Sequence, residues 1–452
     1  MKSLGDEERE TLYGCDLARA DCRRMWSSHH TAVAGGPPGI IHAERIIPRK
    51  HGMYYTGIAH RGGSSFNRQA LGSMDTSYRL LTHLTAIVSA STRCEPRLKI
   101  VRYRRALRAG FTMEIPVQVV YVDPGSPGYH CVYYMARLAA ELLNGELVVL
   151  HSRPLRMIEK LGALLPRKRR GLACLLICPA PADLSSLLLI ENWRERYGRI
   201  VAWVFDSFWT SLIPRFARLA RVFDHVFVTE QEDLDTWCKM VPAPVEWLPW
   251  GSDVLRLGSA NPLRRFDLLR MGRQPLQWED DVSSALVCQS RNLRFQGRPP
   301  YFSDATDNQR SLMEILSDAK YTLAFSNLVS PSVQTHPNRE YLTGRWTDSL
   351  AAGATVAGVP PRSESVRSLL WPEALLDLGT VNRTEGLEVL ANTVREWTPD
   401  RARLNYIRSL ERLDWRWRFK RLADALGVRS CPLDTELKRL NQLISSDLAT
   451  IA

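Results

Sequence analysis

The sequence lacks the long apolar runs that mark membrane-spanning proteins. No stretch of about 18 or more uncharged apolar residues occurs, so no transmembrane helix is predicted. The opening residues, MKSLGDEERETLYG, hold no apolar segment of the kind found in secretory signals. These two absences favour a cytoplasmic protein.

The sequence also lacks the cysteine spacing of zinc modules and redox proteins. Nine cysteines are scattered along the chain, and none forms a CxxC pair. Cys15 and Cys22 precede His29 and His30, but this spacing fits no zinc module well. We therefore expect no metal site and interpret the cysteines as reduced, mostly buried thiols.

The sequence has fewer acidic than basic residues. Sixty lysines and arginines against 48 acidic residues give a formal net charge of +12. Such a charge favours anionic partners, whether nucleic acid, phosphorylated metabolites or an acidic membrane surface. The densest basic cluster is PRKRR at 166–170, which is more typical of a solvated loop than of a binding site.

The first 112 residues show little regular periodicity. Paired glycines, prolines and serines interrupt the pattern, and only SYRLLTHLTAIVSA (77–90) has helical spacing. We interpret 1–112 as an irregular, loosely ordered extension. Met113 stands just before the first clear strand, so a downstream start of the protein is an open alternative.

From residue 113 onward, apolar strands alternate with amphipathic helices. VQVVYV, ELVVLH, LACLLICPA, IVAWVF and HVFVTE read as buried strands separated by helical segments. A second series begins with RFDLLRMG. This alternation predicts an α/β fold with two doubly wound, Rossmann-like parallel sheets. The predicted domains are 113–258 and 259–400, followed by a helical tail at 401–452.

The stretch NREYLTGRWTDSLAAGATVAG lies between two predicted strands of the second domain. It predicts a helix from Gly344 to about Ala352, stopped at Gly353. The first amide groups of a helix have no acceptor within it, and Gly344 lets an anion approach the backbone closely. Asp348, one turn further on, is suited to accept hydrogen bonds from ribose hydroxyls. Glu340 precedes the helix and is expected to bend toward the same cleft.

This stretch resembles the acidic motif of GT-B glycosyltransferases, of the group-1 or family-4 type. That motif has two acidic residues separated by seven others, followed by small residues and a glycine. VEWLPWGSD resembles the family's end of the first domain, and FDLLRMGR its first strand of the second. The resemblance extends from about residue 116 to 415. It implies two Rossmann-like domains facing a cleft.

The resemblance also implies roles for individual residues. Glu340 would face the transferred sugar and Asp348 the nucleotide ribose, although the family usually has glutamate at the second position. Arg273, after Gly272, matches the position of an arginine that binds the donor phosphates. No lysine partner is evident, and Arg345 is the alternative source of positive charge.

The first domain is expected to bind the acceptor. Gly125 and Gly128 lie in the turn DPGSPGYH after the first strand, which is not a GxGxxG dinucleotide motif. The resemblance implies that this glycine loop approaches the acceptor or the sugar of the nucleotide-sugar donor. Asp206 ends the strand IVAWVF, where it is suited either to deprotonate an acceptor hydroxyl or to cap the next helix. His130 is a second candidate base.

Together these features predict a cytoplasmic, metal-independent glycosyltransferase of polysaccharide biosynthesis. Its donor would be a nucleoside diphosphate sugar, its acceptor a glycan or glycolipid, and no cofactor is expected. The positive charge also allows peripheral contact with an anionic membrane at its inner face. Alternatives are a sugar-nucleotide epimerase of the same fold, an inactive relative acting as a partner subunit, and a basic nucleic-acid-binding protein. No nucleic-acid-binding motif supports the last, so no specific nucleic acid is expected.

Overall fold

A computed structural model describes residues 115–451, except 164, 168, 218, 333 and 334. The predicted extension 1–112, its helical piece at 77–90 and the residues Cys15, Cys22, His29 and His30 therefore lie outside the described residues. Within the described residues, no helix is both long enough and apolar enough to cross a membrane.

The first half of the described chain forms a six-stranded parallel sheet. Its order is β2-β1-β3-β4-β5-β6. The inner strands are almost fully buried, β4 from Ile200 onward, because helices cover both faces of the sheet. The strands are β1 (Val117–Asp123), β2 (Glu146–His151), β3 (Leu172–Cys178), β4 (Tyr197–Val204), β5 (His225–Val228) and β6 (Val245–Trp247).

The helices of this half differ in length. Helix α1 buries Val132, Met135, Ala136 and Ala139, whose spacing of three and four residues produces one apolar stripe against the sheet. Three short 3-10 turns or helices follow β3 and β4, at Pro181–Leu189, Thr210–Leu212 and Leu219–Val222. The α-helices are α1 (His130–Leu142), α2 (Met157–Gly162), α3 (Trp193–Arg196), α4 (Ile213–Phe216), α5 (Leu234–Met240) and α6 (Val254–Leu257).

The second half forms a separate five-stranded parallel sheet. Its order is β11-β10-β9-β7-β8. If β7 to β11 are renumbered 1 to 5 and the sheet is read from β8 to β11, the order is 2-1-3-4-5. The first five strands of the other sheet have the same order. The strands are β7 (Phe266–Arg270), β8 (Phe295–Gln296), β9 (Ala319–Leu323), β10 (Thr355–Gly358) and β11 (Leu375–Asp377). The expected α/β architecture of two doubly wound parallel sheets is thus confirmed.

Five helices accompany the second sheet, and three more complete the chain. The five are α7 (Asp281–Gln289), α8 (Ala305–Leu316), α9 (Gly344–Ala351), α10 (Glu364–Leu369) and α11 (Arg383–Arg395). The last three are α12 (Pro399–Arg412), α13 (Trp415–Leu426) and α14 (Cys431–Ile451), so the expected helical tail is present.

The tail does not stand apart from the first sheet. Trp415 of α13 packs edge-on against Trp203 of β4, with 5.6 Å between the ring centroids. Arg416, fully buried, pairs with Asp253 just before α6 and with Asp414 at the start of α13. The carboxyl-terminal helices therefore pack against the first sheet and form ion pairs with the segment that joins the two sheets.

Local details differ from the sequence pattern at three places. The segment after β3 forms a 3-10 helix and the short α3, which are separated at Asn192, a residue in the left-handed region with a φ of +54°. The left-handed residue after α1 is Asn144 and not Gly145, whose added Cβ would lie 2.8 Å from the Val117 carbonyl oxygen. Helix α8 is capped by Asp304, which accepts from the amides of Thr306 and Asp307. Asp307 lies in the first turn.

Candidate active site

The two sheets present matching edges to one cleft. In a 2-1-3-4-5 sheet the crevice opens at the carboxyl ends of the first and third strands, where the strand order reverses. In the first sheet these are β1 and β3, and in the second they are β7 and β9. Loops after β1, β3, β4 and β7, together with the start of α9, line a cavity of about 650 Å³.

Most of the residues selected from the sequence line this cavity. From the first half these are Gly128, His130 and Asp206. From the second half they are Arg273, Gly344, Arg345 and Asp348. The fold thus brings together side chains more than 200 positions apart in the chain, and two of the selected residues, Gly125 and Glu340, lie outside the lining.

Helix α9 turns its amino terminus toward the cavity. Thr343, in the cap position, makes no side-chain hydrogen bond to the first turn. The leading amides are therefore not satisfied by a side-chain cap, as an anion site requires. A Cβ added at Gly344 would lie 3.6 Å from Oδ2 of Asp348, at ordinary van der Waals contact, and would occupy the space beside the helix terminus.

Two arginines lie beside this helix terminus. Arg345 donates from Nη1 to the Arg273 carbonyl oxygen at 3.1 Å and from Nη2 to the Phe325 carbonyl oxygen at 3.3 Å. Arg273 donates from Nε to the Ser330 carbonyl oxygen at 2.6 Å. Among the described residues neither guanidinium forms an ion pair with a carboxylate. Burial and the neighbouring Arg273 lower the pKa of Arg345 to about 10, so Arg345 remains cationic at neutral pH.

Gly272 makes this arrangement possible. Its φ of +66° lies in the left-handed region that favours glycine. A Cβ at this position would lie only 2.5 Å from Cδ of Arg345. The glycine thus both turns the chain after β7 and leaves room for the Arg345 side chain.

Asp348 is buried in the wall of the cavity, with 4% of its surface exposed. Ser252 donates to its Oδ1 at 2.6 Å, and Gln309 donates to its Oδ2 at 3.0 Å. Burial raises the pKa of Asp348 to about 6, although both hydrogen bonds act in the opposite direction. Each carboxylate oxygen has two lone pairs, so both can accept a further hydrogen bond from a ligand hydroxyl.

Asp206 forms the opposite wall. It follows β4 and accepts a short hydrogen bond from the Tyr129 hydroxyl. Burial raises the pKa of Asp206 to about 7, Tyr129 counteracts this by stabilising the carboxylate, and nearby Asp183 adds to the rise. A carboxyl group with this pKa changes protonation state near neutral pH, as a general base must. The Asp206 side chain does not cap the next helical turn. That turn begins at Trp209, whose backbone carbonyl accepts from the Leu212 amide, and no side chain caps it.

Gly125, Gly128 and His130 lie within four residues of Tyr129, the hydrogen-bond partner of Asp206. His130 begins α1, and the Tyr301 hydroxyl lies 2.8 Å from each of its ring nitrogens. Gly128 lines the cavity. Gly125 has a φ of +68°, and its amide donates to Asp123 Oδ1 at 2.8 Å, which makes a tight turn at the rim.

Glu340 lies behind the lining of the cavity. It accepts a hydrogen bond from the Ser326 hydroxyl and one of 2.9 Å from the Arg362 amide. These bonds tie together the loops that follow β9 and β10. The next residue, Tyr341, lines the cavity and stacks on Phe208 of the first half, with ring centroids 4.0 Å apart.

Sequence reasoning missed three residues of the site: Tyr129, Ser252 and Gln309. Tyr129 and Ser252 lie inside quoted motifs, DPGSPGYH and VEWLPWGSD, so the motifs located them without giving a role. Gln309 lies on α8, in a segment recognised only as a helix. Its buried amide is a polar group on an otherwise apolar stripe, and this is the signal that could have identified it.

Comparisons with known proteins give distant likenesses in structure only. No family model matches the chain, and no curated protein matches its sequence. A crystal structure of TarM is 11% identical with a TM-score of 0.36, covering 56% of this chain; the chain spans about half of TarM, 54%.

Two other solved structures are matched over nearly their whole length. A UDP-forming alpha,alpha-trehalose-phosphate synthase from Burkholderia xenovorans is 11% identical with a TM-score of 0.41, covering 70% of this chain and 99% of that one. MurG from Acinetobacter baumannii is 10% identical with a TM-score of 0.31, covering 69% of this chain and 99% of that one.

Proposed function

We propose that this chain is a glycosyltransferase that moves a sugar from a nucleoside diphosphate sugar to an acceptor hydroxyl. The observation that carries the proposal is the pair Arg273 and Arg345, unpaired by any described carboxylate, beside the uncapped amino terminus of α9. Two buried or partly buried cations without counter-ions are costly unless an anion joins them. A diphosphate supplies that anion.

The donor would lie along the second half of the cleft. Its phosphates would contact the leading amides of α9 and the two arginines, and its ribose hydroxyls would donate to Asp348. The spacing suits this, because Asp348 lies one helical turn beyond Gly344. The sugar would then extend toward the first half, where Tyr129, His130 and Asp206 line the cleft.

Charged groups of the cleft would assist the reaction at two points, the leaving diphosphate and the acceptor hydroxyl. As the glycosidic bond to the diphosphate breaks, negative charge grows on the leaving group, where the helix amides and arginines stabilise it. This requires no metal, and metal independence is part of the proposal. Asp206, with a pKa near 7, would accept the proton of the acceptor hydroxyl, with His130 as the alternative base. Glu340 lies outside the cavity lining, and we propose that it acts on the transferred sugar only indirectly, by joining the loops that follow β9 and β10.

The acceptor would enter from the first half. A glycan or glycolipid acceptor, a cytoplasmic location, peripheral contact with an anionic membrane and a role in polysaccharide biosynthesis complete the proposal. Aromatic Trp209, which lines the cavity, offers a face on which a sugar ring could stack.

The decisive experiment is a thermal-shift panel of UDP-, GDP- and dTDP-sugars with the purified chain. We expect one nucleotide class to raise the Tm, since a ligand that binds only the folded state stabilises it. Arg345→Gln should abolish that rise, whereas Arg395→Gln, an exposed arginine of α11, should leave it intact. If no nucleotide shifts the wild type, the proposal fails.

Product analysis with the bound donor separates the transferase from the epimerase. A transferase releases nucleoside diphosphate in proportion to acceptor glycosylated. An epimerase converts one nucleotide sugar into another without an acceptor.

A further inference from the structure

A cavity of about 290 Å³ lies outside the candidate active site, where three parts of the chain meet. The end of β6 supplies Trp247, helix α10 supplies Leu369, and helix α13 supplies Trp417. The cavity shares no described lining residue with the cleft. Its volume is close to about 300 Å³, where the range of small-molecule sites begins.

Three arginines line this cavity, and no acidic residue does so within the described part of the chain. They are Arg412 at the end of α12, and Arg418 and Arg421 of α13. Arg421 is paired with Glu246, which lies outside the lining. Arg412 is exposed, and its side chain has no hydrogen-bond or ion-pair partner among the described residues. The cavity therefore carries an excess of positive charge.

Arg418 places a buried cation in the wall, with 4% of its surface exposed. Its guanidinium forms no ion pair with a described carboxylate and donates instead to four backbone carbonyl oxygens, those of Pro249, Trp250, Arg412 and Asp414. Burial lowers the pKa of Arg418 to about 10, so the side chain stays cationic at neutral pH. A guanidinium has five N–H donors, so these bonds leave one hydrogen on Nη2. The carbonyl oxygens hold the cation in place without supplying a full negative charge, which an anion would add.

Two indole rings give the same cavity an apolar wall. Trp247 and Trp417 are both half-buried and line it. Nε1 of Trp247 donates to the Thr229 carbonyl oxygen at 3.0 Å, and Nε1 of Trp417 donates to the Leu410 carbonyl oxygen at 2.9 Å. Because both N–H groups are used inside the protein, each indole offers ring surface to a ligand and not a hydrogen bond.

The arginines and the indoles together indicate the chemistry of a ligand. Indole rings pack favourably against other aromatic rings, and guanidinium groups form charge-assisted hydrogen bonds with phosphate and carboxylate oxygens. We propose that this cavity binds a small organic anion in which a phosphate or carboxylate is attached to an aromatic ring. The ring packs on Trp247 and Trp417, and the anionic oxygens contact Arg412 and Arg418. This site is additional to the proposed transferase function and does not depend on it.

The experiment is isothermal titration of the full chain with phenyl phosphate, and with ethyl phosphate and benzoate as matched probes. We expect phenyl phosphate to bind about tenfold more tightly than ethyl phosphate, which carries the anion without the ring. Benzoate carries the same ring on a carboxylate, so the tighter of the two aromatic probes identifies the anionic group that the site prefers. Absence of binding by both aromatic probes would overturn the proposal, and so would equal affinity for phenyl phosphate and ethyl phosphate.

Arg412→Gln tests the contribution of the unpaired cation. It should weaken phenyl phosphate binding about tenfold, because a charge-assisted hydrogen bond is lost. The matched control is Arg429→Gln, since Arg429 is an exposed arginine after α13 that has no described partner and does not line the cavity. Both variants should keep the wild-type Tm, because both side chains are exposed. Equal loss of affinity in the two variants would indicate general attraction to a basic protein and would overturn the site.

Ser368→Trp tests the cavity without a change of charge. Ser368 is an exposed residue of α10 that lines the cavity, so an indole at this position should fill the cavity and abolish binding. Ser290→Trp, at an exposed serine after α7, adds the same ring outside the lining and should bind phenyl phosphate as the wild type does. Unchanged binding by Ser368→Trp would place the probe elsewhere and overturn the proposal.

Binding at the cleft is distinguished by Arg345→Gln, because the cleft has arginines of its own. The affinity for phenyl phosphate should be unchanged in Arg345→Gln and still reduced in Arg412→Gln. The opposite result, loss in Arg345→Gln with full binding in Arg412→Gln, would assign the probe to the cleft and overturn the second site. The outcome is independent of whether a nucleotide sugar raises the Tm, so this proposal and the transferase proposal fail separately.

Discussion

The Ser252 hydroxyl donates a hydrogen bond of 2.6 Å to Oδ1 of Asp348. Ser252 belongs to the segment that joins the two sheets, and Asp348 lies inside α9 at the cleft. The bond stabilises the ionised carboxylate, which burial otherwise disfavours. The joining segment therefore tunes the group that we propose to bind the ribose.

Ser252→Ala should weaken donor binding in a pH-dependent way. Loss of the bond moves the pKa of Asp348 further above its present value of about 6. The ionised fraction then falls at pH 6 but stays near complete at pH 8, so the dissociation constant should rise several-fold more at the lower pH. Isothermal titration with the donor nucleotide at both pH values measures this.

Ser430→Ala is the control for Ser252→Ala, since it removes another buried hydroxyl, one that donates to the Leu142 carbonyl oxygen away from the cleft. It should leave the affinity unchanged at both pH values. A loss of affinity that is equal at pH 6 and pH 8 in Ser252→Ala would contradict a role through the ionisation of Asp348.

Gly272→Ala should reduce nucleotide affinity about tenfold while lowering stability only modestly. The new Cβ would lie 2.5 Å from Cδ of Arg345 and displace that side chain from the anion site. Placing a non-glycine residue at positive φ costs roughly 1–2 kcal/mol of folding free energy. Urea unfolding and nucleotide titration measure the two effects separately.

Gly379→Ala separates the cost of backbone strain at positive φ from the effect of displacing the Arg345 side chain. Gly379 has nearly the same φ, +68°, but a Cβ there meets nothing within 4 Å. It should therefore lose similar stability and keep full nucleotide affinity. If both alanine variants bind nucleotide equally well, then the space that Gly272 leaves for the Arg345 side chain is not needed for nucleotide binding.

Activity should rise with pH through about 7, the pKa of Asp206. Tyr129→Phe should move this rise to higher pH, because Tyr129 stabilises the ionised form of Asp206 and its loss raises the pKa further. The expected change is in the pH profile of kcat/KM, which a purely structural role would leave in place. A profile in Tyr129→Phe that coincides with the wild type would count against Asp206 as the base.

The raised pKa of Asp206 also predicts how the free energy of unfolding changes with pH. Asp206 has a higher pKa in the folded protein than the ordinary value of 3.8, so the folded state binds the proton more tightly. Its contribution is fully present below pH 3.8 and is lost as the pH rises through about 7. Asp206→Asn should therefore flatten the fall in unfolding free energy between pH 5 and pH 8, measured by urea denaturation at each pH.

Arg416→Leu should destabilise the fold by about 3–5 kcal/mol, the usual cost of removing one partner of a buried ion pair. Asp253 and Asp414, both fully buried, would lose their shared counter-ion. Arg439→Leu removes an exposed cation from the neighbouring α14 and should change the unfolding free energy by less than about 0.5 kcal/mol. Equal effects in the two variants, compared by urea unfolding, would show that the network around Arg416 is dispensable.

The alternation of apolar strands and amphipathic helices was sufficient to predict the fold class. Strands such as β1 and β3 are continuous apolar runs, and that pattern occurs only where both faces of a sheet are covered. The helix at Gly344 was also predictable, because a glycine-ended run of small residues follows a loop. Its actual end at Ala351 is one residue earlier than expected.

The partners of the site residues were not predictable from local patterns. Tyr129 and Asp206 are 77 positions apart, and Ser252 and Asp348 are 96 apart. No periodicity or motif relates such positions, since their contact depends on the strand order of each sheet and on how the two halves meet. Glu340 illustrates the same limit: its motif position placed it at the cleft, yet its hydrogen bonds direct it to Ser326 and the Arg362 amide.

By itself the sequence determined two doubly wound sheets and a helix terminus suited to an anion. The sheets follow from the alternation of apolar strands with amphipathic helices, and the helix terminus follows from a local run of residues. Only the tertiary structure decided which acids change their pKa, which arginines form no ion pair with another described residue, and where apolar side chains stay exposed. Those properties arise from burial and from neighbours distant in the chain, and the free energy of a charge depends on both.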